Sequence, residues 1–494
     1  MVLIVLIGYF VLLWTVSKLA GREGNDAFFR GNRQSPWGLV AFGMVGASIS
    51  GLTFIGVPGW VMGIDMTYMQ MCLGFVFGYL LVAFVLLPVY YRWGLTSIYT
   101  YLERRFGATS YRTGASFFIL SKLLGAAAKF YVVVRILQMC VEAQWMQGGW
   151  SLGGWEIGGS VSYGLMALFT LLFIWLYTRR GGIRALVWTD VLQTAVLLVA
   201  MLLILVEVCS LLNMDMGKAL VAVWHDSHSR MFEFGDMASK QYFWKQFLSG
   251  IFIVVVMTGL DQDMMQKNLT CKNLQAAQKD MCMSGVLFVP VNFLFLSLGV
   301  LLLMLYAQTG MPLPENGDDL LSGMVFSGVL GQTALALFTV GVVASAFSSA
   351  DSALTALTTC FCVDILGIER KGVPEEAMVS LRKKVHLAMM FAFLLCTLAF
   401  NAIGNHGVMD LIYTLVSYTY GPLLGLFAFG LFTKRKPQDK VVPYLAVASP
   451  VVCYLTDVVV YASTGYKFGY EILMLNGLLT FVGLWAGSRR TVTS

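Results

Sequence analysis

Between positions 344 and 355 the chain reads Ala-Ser-Ala-Phe-Ser-Ser-Ala-Asp-Ser-Ala-Leu-Thr. On a helix, Ser345, Ser349 and Ser352 recur on one face, and Ser348, Asp351 and Thr355 carry the polar patch round the same side. Hydroxyls with one carboxylate are oxygen ligands of the kind hard cations prefer. No run of His or Cys accompanies them, so sodium fits the set better than a transition metal does. A second stretch, residues 43–59, holds Gly43, Gly46, Gly51, Gly56, Gly59 and Pro58 inside an otherwise apolar segment. So many glycines and a proline argue against an unbroken helix, and a break within the membrane frees backbone carbonyls for a cation or a solute.

A third group is charged. Lys122 and Lys129 lie seven apart on one helical face with Arg135 a little off it, and Asp190, Asp261, Asp263 and Asp351 each interrupt a long apolar run. Placing one such charge at the centre of a bilayer costs about 2.5–3.5 kcal/mol on insertion scales, so these residues are expected to face a cavity or each other.

The elements that must position them are membrane spans. Apolar residues make up 58% and charged residues 12% of 494 positions, against roughly 25% charged in a soluble domain. Charge-free windows long enough for the ~20 residues that cross a bilayer predict thirteen spans near 1–19, 37–61, 67–91, 113–140, 157–178, 185–208, 244–266, 280–308, 326–365, 385–403, 407–433, 441–463 and 470–487. Of 33 Lys and Arg, 25 fall in alternate loops. Lys218, Arg230, Lys240, Lys245 and Lys467 fall in the others, and Lys122, Lys129 and Arg135 within a span. This is the positive-inside bias of a chain with its N-terminus outside and its C-terminus inside.

The net charge of +6 therefore reflects topology and gives no reason to expect nucleic acid as a partner. The first span has no basic leader and no small-residue cleavage site, and is read as a retained helix. Nine cysteines lack disulfide or zinc spacing and read as small buried apolar groups. His225 and His228 have no third ligand near them, and no phosphate loop, nucleophile elbow or metalloprotease motif is present, so no enzyme chemistry is expected. The loop 209–243 is the one sizeable polar excursion, either a plain connector or a short helix capping an outer vestibule. A single domain is expected.

Five motifs in order carry a family resemblance: Phe28 to Gly31 before the Gly-rich span, Thr96 to Phe106, Gly181 to Gln193, Gln262 to Lys267, and the Ser348-Ser349 helix ending at Asp364. Together they resemble the sodium:solute symporter family of sodium-coupled sugar, proline, sialic acid, vitamin and iodide carriers. The resemblance implies an all-α, LeuT-type fold of two inverted five-helix repeats, about 37–208 and 244–433, with extra helices at 1–19, 441–463 and 470–487. It implies a sodium site at Gly46, Ile49, Ser345, Ser348 and Ser349, and a possible second at Asp190, Ser348, Asp351 and Ser352. Asp351 stands where the sialic acid branch has serine. It implies solute contacts among Ser50, Thr53, Gln70, Lys129, Asp261, Gln262, Asn292 and a tyrosine, Tyr413, Tyr418 or Tyr420, with Tyr418 the candidate carried forward.

Asp261 replaces the asparagine of several sugar carriers, and either receives a cationic group of the solute or is neutralised by Lys129 or Arg135. The arginine of the sialic acid branch is Gly125 here, with Lys129 one turn on. The expected activity is sodium-coupled import of a small polar organic solute (a sugar, a sialic acid, or an amino or organic acid) across a bacterial inner membrane, with sodium, solute and lipid as partners and no obligate protein partner. A proton-coupled carrier of the same fold, and less so a solute sensor, are the alternatives.

Overall fold

A computed structural model describes residues 1–21, 24–145, 150–152, 155–157, 159–368, 374–403 and 408–489. Helices dominate. The strand pairs among the described residues are Trp150–Leu152 with Trp155–Ile157 and Lys436–Pro437 with Ser488–Arg489. In chain order the long helices are α1 (Val2–Ala20), α2 (Trp37–Ser48), α3 (Gly51–Ile64) and α4 (Tyr68–Leu81, continued to Arg92). They are followed by α5 (Ala108–Trp145), α6 (Gly159–Leu211), α7 (Phe243–Val254), α8 (Gln262–Asn268), α9 (Leu274–Thr309) and α10 (Gly331–Cys360). The last are α11 (Glu375–Ile403), α12 (Val408–Phe432), α13 (Val442–Thr464) and α14 (Ile472–Ala486).

By length and composition eight helical runs among the described residues suffice to cross a membrane, or ten if each of two bent pairs is one span. Large apolar side chains such as Ile4, Phe84, Phe169 and Val459 stand exposed on their outer faces. In water such a surface would drive aggregation; in lipid it matches its solvent.

α6 is 53 residues long, about 80 Å at 1.5 Å per residue, more than twice the ~30 Å apolar thickness of a bilayer. Its two arms correspond to the expected spans 157–178 and 185–208, and the hinge is Gly182 at φ 47°, ψ −136°. A side chain there is excluded twice, by the backbone and by Phe28, whose ring would lie 2.4 Å from a Cβ. The 326–365 stretch resolves into α10, which runs on to Ile365 as 35 continuous helical residues, longer than one crossing needs.

The Gly-rich stretch breaks, as its composition suggested, but at one point. Ile49 N still donates to Val45 O (3.0 Å), Ile49 and Ser50 are extended, and α3 restarts with Thr53 and Phe54 donating to Ser50 O. α2 and α3 differ in direction by 58°. Most of the glycines serve close approach: a Cβ at Gly46 would lie 1.9 Å from Thr194 Oγ1, and one at Gly59 would lie 1.7 Å from Gly317 O. Pro58 does not make the break; its carbonyl instead lies where a Cβ on Gly299 would sit, 2.0 Å away.

A second break was not foreseen. The span read as 244–266 is α7, a π turn at Val255–Gly259, and α8 at 71° to the first part. Asp261 starts α8 as its N-cap, accepting Asp263 N at 2.8 Å, which satisfies a backbone donor the break had orphaned. The two broken pairs lie at corresponding places, each followed by a long helix, and α10 packs against α6, α2 and α3 at the centre.

The 209–243 loop contains a short helix, Met216–His225, capped by Asp215. It is fastened to the turn before α4: Gln70 Nε2 donates to Gln241 O (2.9 Å), Glu233 N donates to Gln70 Oε1 (2.9 Å), and Arg230 pairs with Asp65 (3.0 Å).

If close backbone approach at α3 and α9 holds the first broken helix in place, Gly299→Val should destabilise the folded protein by about 1–3 kcal/mol or more, as overpacking does. Thermal unfolding in detergent should show a clearly lowered midpoint, with Gly8→Val, where nothing lies within 4 Å, as the unaffected control.

Candidate functional site

The first break leaves backbone oxygen atoms without their helical partners. Once the chain turns at Ile49, the last carbonyls of α2 lose the donors that a continuing helix would have supplied. α10 faces them directly. Ser345 Oγ donates to Ile49 O at 2.9 Å, and Ser348 Oγ donates to Asp190 Oδ1 at 2.7 Å. Ser349 Oγ is buried without any partner. An orphaned hydroxyl inside a membrane protein is costly, and its presence beside freed carbonyls and a carboxylate-linked serine fits a hard monovalent cation. The structure thus joins Ser345 of α10 to Ile49 at the break, sets Ser348 against Asp190 of α6, and packs Gly46 against Thr194 of α6.

One turn along α10, Asp351 is fully buried. Its Oδ2 accepts from Tyr177 OH (2.5 Å) and Gln193 Nε2 (3.3 Å), and Ser352 Oγ donates to Oδ1 (3.2 Å). Asp190 is paired with Lys267 Nζ at 2.9 Å, an ion pair lying off the hydrogen-bonding direction. The sequence pattern counts Lys267 among the 25 basic residues of the alternate, cytoplasmic loops. It is instead only 1% exposed, drawn inside because α8 turns at the second break and carries it against α6. The candidate second sodium site, Asp190, Asp351 and Ser352, therefore stands next to a cation supplied by the chain itself.

Between the two breaks lies a cavity of about 170 Å³. Ser50, Thr53, Lys129, Asp261 and Ser349 line it, as does Tyr420. Its wall residue Tyr68 also lines a wider vestibule of about 720 Å³ on the face that carries the 209–243 loop. On the opposite side the cavity is shut. Gln262 ties to Ile98 N and Thr96 O, Tyr99 OH donates to Leu260 O, Tyr90 OH donates to Gly259 O, and Ser97 and Tyr111 both donate to Asp364.

Asp261 is neutralised, but by neither Lys129 nor Arg135. Lys122 reaches it at 3.1 Å and Asp263 at 2.7 Å, and Tyr420 OH donates to Asp261 at 2.8 Å. Lys122 lies on α5 at the level of the second break, whereas Lys129 is two turns further along. Arg135 is exposed in the vestibule.

Other sequence candidates take structural places. Gln70 holds the outer loop and Gln262 the closing segment, as described. Asn292 is buried, bonds to Phe288 O of its own helix (2.8 Å) and is outside the cavity lining. Tyr418 packs its ring on Tyr454 (6.4 Å between centroids), and Tyr420, two residues on, is the α12 tyrosine that lines the cavity among the described residues. The side chain of Tyr413 lies outside the described residues. His225 and His228 belong to no group of three metal-ligating side chains among the described residues.

Sequence reasoning groups Lys122 with the intramembrane charges but does not identify its partners, and it gives Lys267, Tyr177 and Gln193 no place in a site. One available signal was the Gly259-Leu-Asp261-Gln-Asp263 sequence, a glycine followed by an N-cap aspartate, which marks a helix start.

Comparisons with known proteins give the family of the chain. The family model described as the sodium:solute symporter family matches residues 28–439. The human sodium/iodide cotransporter is 26% identical over 441 residues, 87% of this chain and 64% of its own, so the chain spans less than two thirds of that relative. The sodium/sialic acid symporter NanT of Aliivibrio fischeri is 24% identical over 430 residues, 84% of this chain and 79% of its own. Among solved structures, a Na⁺-coupled sialic acid symporter in a substrate-bound outward-open state superposes with a TM-score of 0.81 over 99% of both chains, at 19% identity, which shows the fold alone. With the family match running over most of its length, the chain is a multi-pass membrane protein and belongs to the sodium:solute symporter family.

Proposed function

We propose that this protein is a sodium-coupled secondary transporter that imports a small polar organic solute by alternating access, with thirteen membrane spans, N-terminus outside and C-terminus inside. The proposed architecture is the LeuT-type pair of inverted five-helix repeats, each opening with a broken helix, and the membrane is the cytoplasmic one. The observation that carries the reading is the unpartnered Ser349 hydroxyl at the junction of the α2–α3 break with α10.

In this reading sodium enters from the vestibule and takes the carbonyls of Gly46, Ile49 and Ser345 with the hydroxyls of Ser348 and Ser349. It thereby ties the first repeat to the second and favours solute binding in the adjacent cavity. The relatives' names, iodide and sialic acid, support sodium as the coupling ion and leave the solute open. Each sodium charge moving inward gains about 2.3 kcal/mol per 100 mV, and by linkage the solute strengthens sodium binding as much as sodium strengthens the solute's. The open vestibule and the shut opposite side correspond to an outward-facing state. A second sodium at Asp190, Asp351 and Ser352 would have to share or displace the Lys267 ammonium.

Loss of one coordinating hydroxyl is expected to cost on the order of 1.4 kcal/mol, a tenfold change. Ser349→Ala should therefore raise the sodium concentration for half-maximal uptake by about tenfold in proteoliposomes, and Ser348→Ala with Ser349→Ala should abolish sodium-dependent uptake. Uptake unchanged in the double variant, or driven by a pH gradient without sodium, would refute the ion site.

Removing Lys267 leaves Asp190 charged and buried, at a cost of about 3–5 kcal/mol. Lys267→Met should lower the melting temperature sharply, and adding Asp190→Asn should recover part of the loss. If the two effects simply add, the ion pair is not what holds α8 to α6.

A further inference from the structure

The helix Met216–His225 takes no part in the ion site or the cavity, and its sequence, Met-Gly-Lys-Ala-Leu-Val-Ala-Val-Trp-His, is apolar on more than one side. At roughly 100° per residue it divides into three sectors. Ala219 and Val223 are buried where the helix packs on α6 and α9. Met216, Leu220, Val221 and Trp224 form a second sector, and they are 48%, 55%, 59% and 67% exposed. Lys218 and His225, both exposed, share an edge between these two faces. An ordinary surface helix has one apolar stripe and buries it; this one buries a stripe and presents another. Contiguous exposed apolar surface marks contact with a protein or with lipid.

The exposed sector is held outward. Asp215 caps the first turn by accepting Lys218 N at 2.8 Å, Ser229 Oγ donates to Val223 O, and Met66 N donates to His228 O at 3.0 Å just beyond the last turn. Its position along the bundle favours lipid as the neighbour. Only Leu212 to Asp215 separate the helix from the end of α6 at Leu211, and Leu202, Leu203 and Val206 stand exposed near that end of α6. Further along the loop, Phe234 packs on Phe243 (4.7 Å between centroids), Phe243 on Phe247 (5.5 Å) and Phe247 on Phe77 (5.3 Å). Phe77 is exposed on the outer face of α4, so the apolar side chains of the loop run on from the surface that the bundle presents to lipid.

We propose that the Met216–His225 helix is an interfacial anchor. It lies at the lipid–water boundary on the vestibule side of the membrane, with Met216, Leu220, Val221 and Trp224 among the acyl chains and Lys218 and His225 at the headgroups. Amphipathic helices of this kind lie in the membrane plane and sink roughly 5–10 Å into it, and tryptophan favours that boundary. Through Met66 N and Gln70 the same loop is tied to the turn between α3 and α4, so the anchor fixes the rim of the vestibule relative to the bilayer. It depends on membrane insertion of the chain and not on which ion or solute is carried.

The test is electron paramagnetic resonance on the full chain in vesicles of phosphatidylethanolamine and phosphatidylglycerol, with a nitroxide attached in Leu220→Cys, Trp224→Cys or Lys218→Cys. All nine native cysteines are buried or half-buried, and the signal of the labelled wild-type chain is subtracted. Collision with oxygen, which concentrates in lipid, is compared with collision with a nickel chelate, which stays in water. The expected result is oxygen access severalfold above nickel access at positions 220 and 224, and the reverse at 218. Brominated lipid should also quench the part of the tryptophan emission that Trp224→Phe removes. Nickel access at 220 and 224 as high as at 218, or unquenched Trp224 emission, would put the face in water and overturn the proposal. Low access to both agents would overturn it as well, because the face would then be covered by protein, such as a second copy of the chain.

Discussion

Every polar atom in a lipid-solvated chain must find its partner within the protein, and this constraint organises the structure. A helix satisfies it locally, one carbonyl to one amide, which is why the chain is almost wholly helical. Breaking a helix suspends the local solution and leaves carbonyls and amides to be satisfied from elsewhere. Among the described residues the molecule does so at Ile49–Ser50 and at Leu260–Asp261, and Ser345, Asp261, Asp263 and Lys122 lie at these two places. Ser345 answers the first break and Asp261 caps the second. Lys122 and Lys267 then balance the carboxylates that the second break has collected.

The two breaks differ in kind. At the second, nearly every group is answered: Asp261 and Asp263 share Lys122, and Tyr420, Tyr99 and Tyr90 close on the surrounding atoms. At the first, Ser349 keeps a hydroxyl without partner. A transporter needs such incompleteness. A site satisfied by its own chain has nothing to gain from a ligand, whereas one left short by a hydroxyl can gain from a cation, and only differential gain of this kind can shift a conformational equilibrium. Glycine makes the arrangement sterically possible, since the Cβ of any other residue at 46, 59 or 299 would meet Thr194, Gly317 or Pro58 within 2 Å.

Much of this was legible in the sequence, for a physical reason. Hydropathy and the Gly-rich stretch are local properties, so the helices and the first break could be read directly, as could the Ser345–Ser352 face of α10. What could not be read was pairing. Lys267 looked like a loop lysine because its sequence neighbourhood is polar; only the 71° turn at the second break takes it inside. Lys122 and Lys129 share a helical face and differ only in which reaches α8, a distance set by tertiary packing. Gln70, Gln262 and Asn292 are polar residues in apolar spans, and nothing local distinguishes a polar residue that binds solute from one that fastens a loop or a turn. Tyr418 and Tyr420 are two residues apart on one helix, so a helical register alone decides which of them meets the cavity.

The central claim is that sodium binds where the α2–α3 break meets α10 and holds the two together. Hydrogen–deuterium exchange on the purified protein, in sodium and in choline at equal ionic strength, reports this without knowledge of the solute. The account predicts that sodium slows exchange of the amides from Val45 to Phe54 in a saturable manner and leaves the Met216–His225 helix unchanged; identical exchange of the 45–54 segment in the two salts would contradict it.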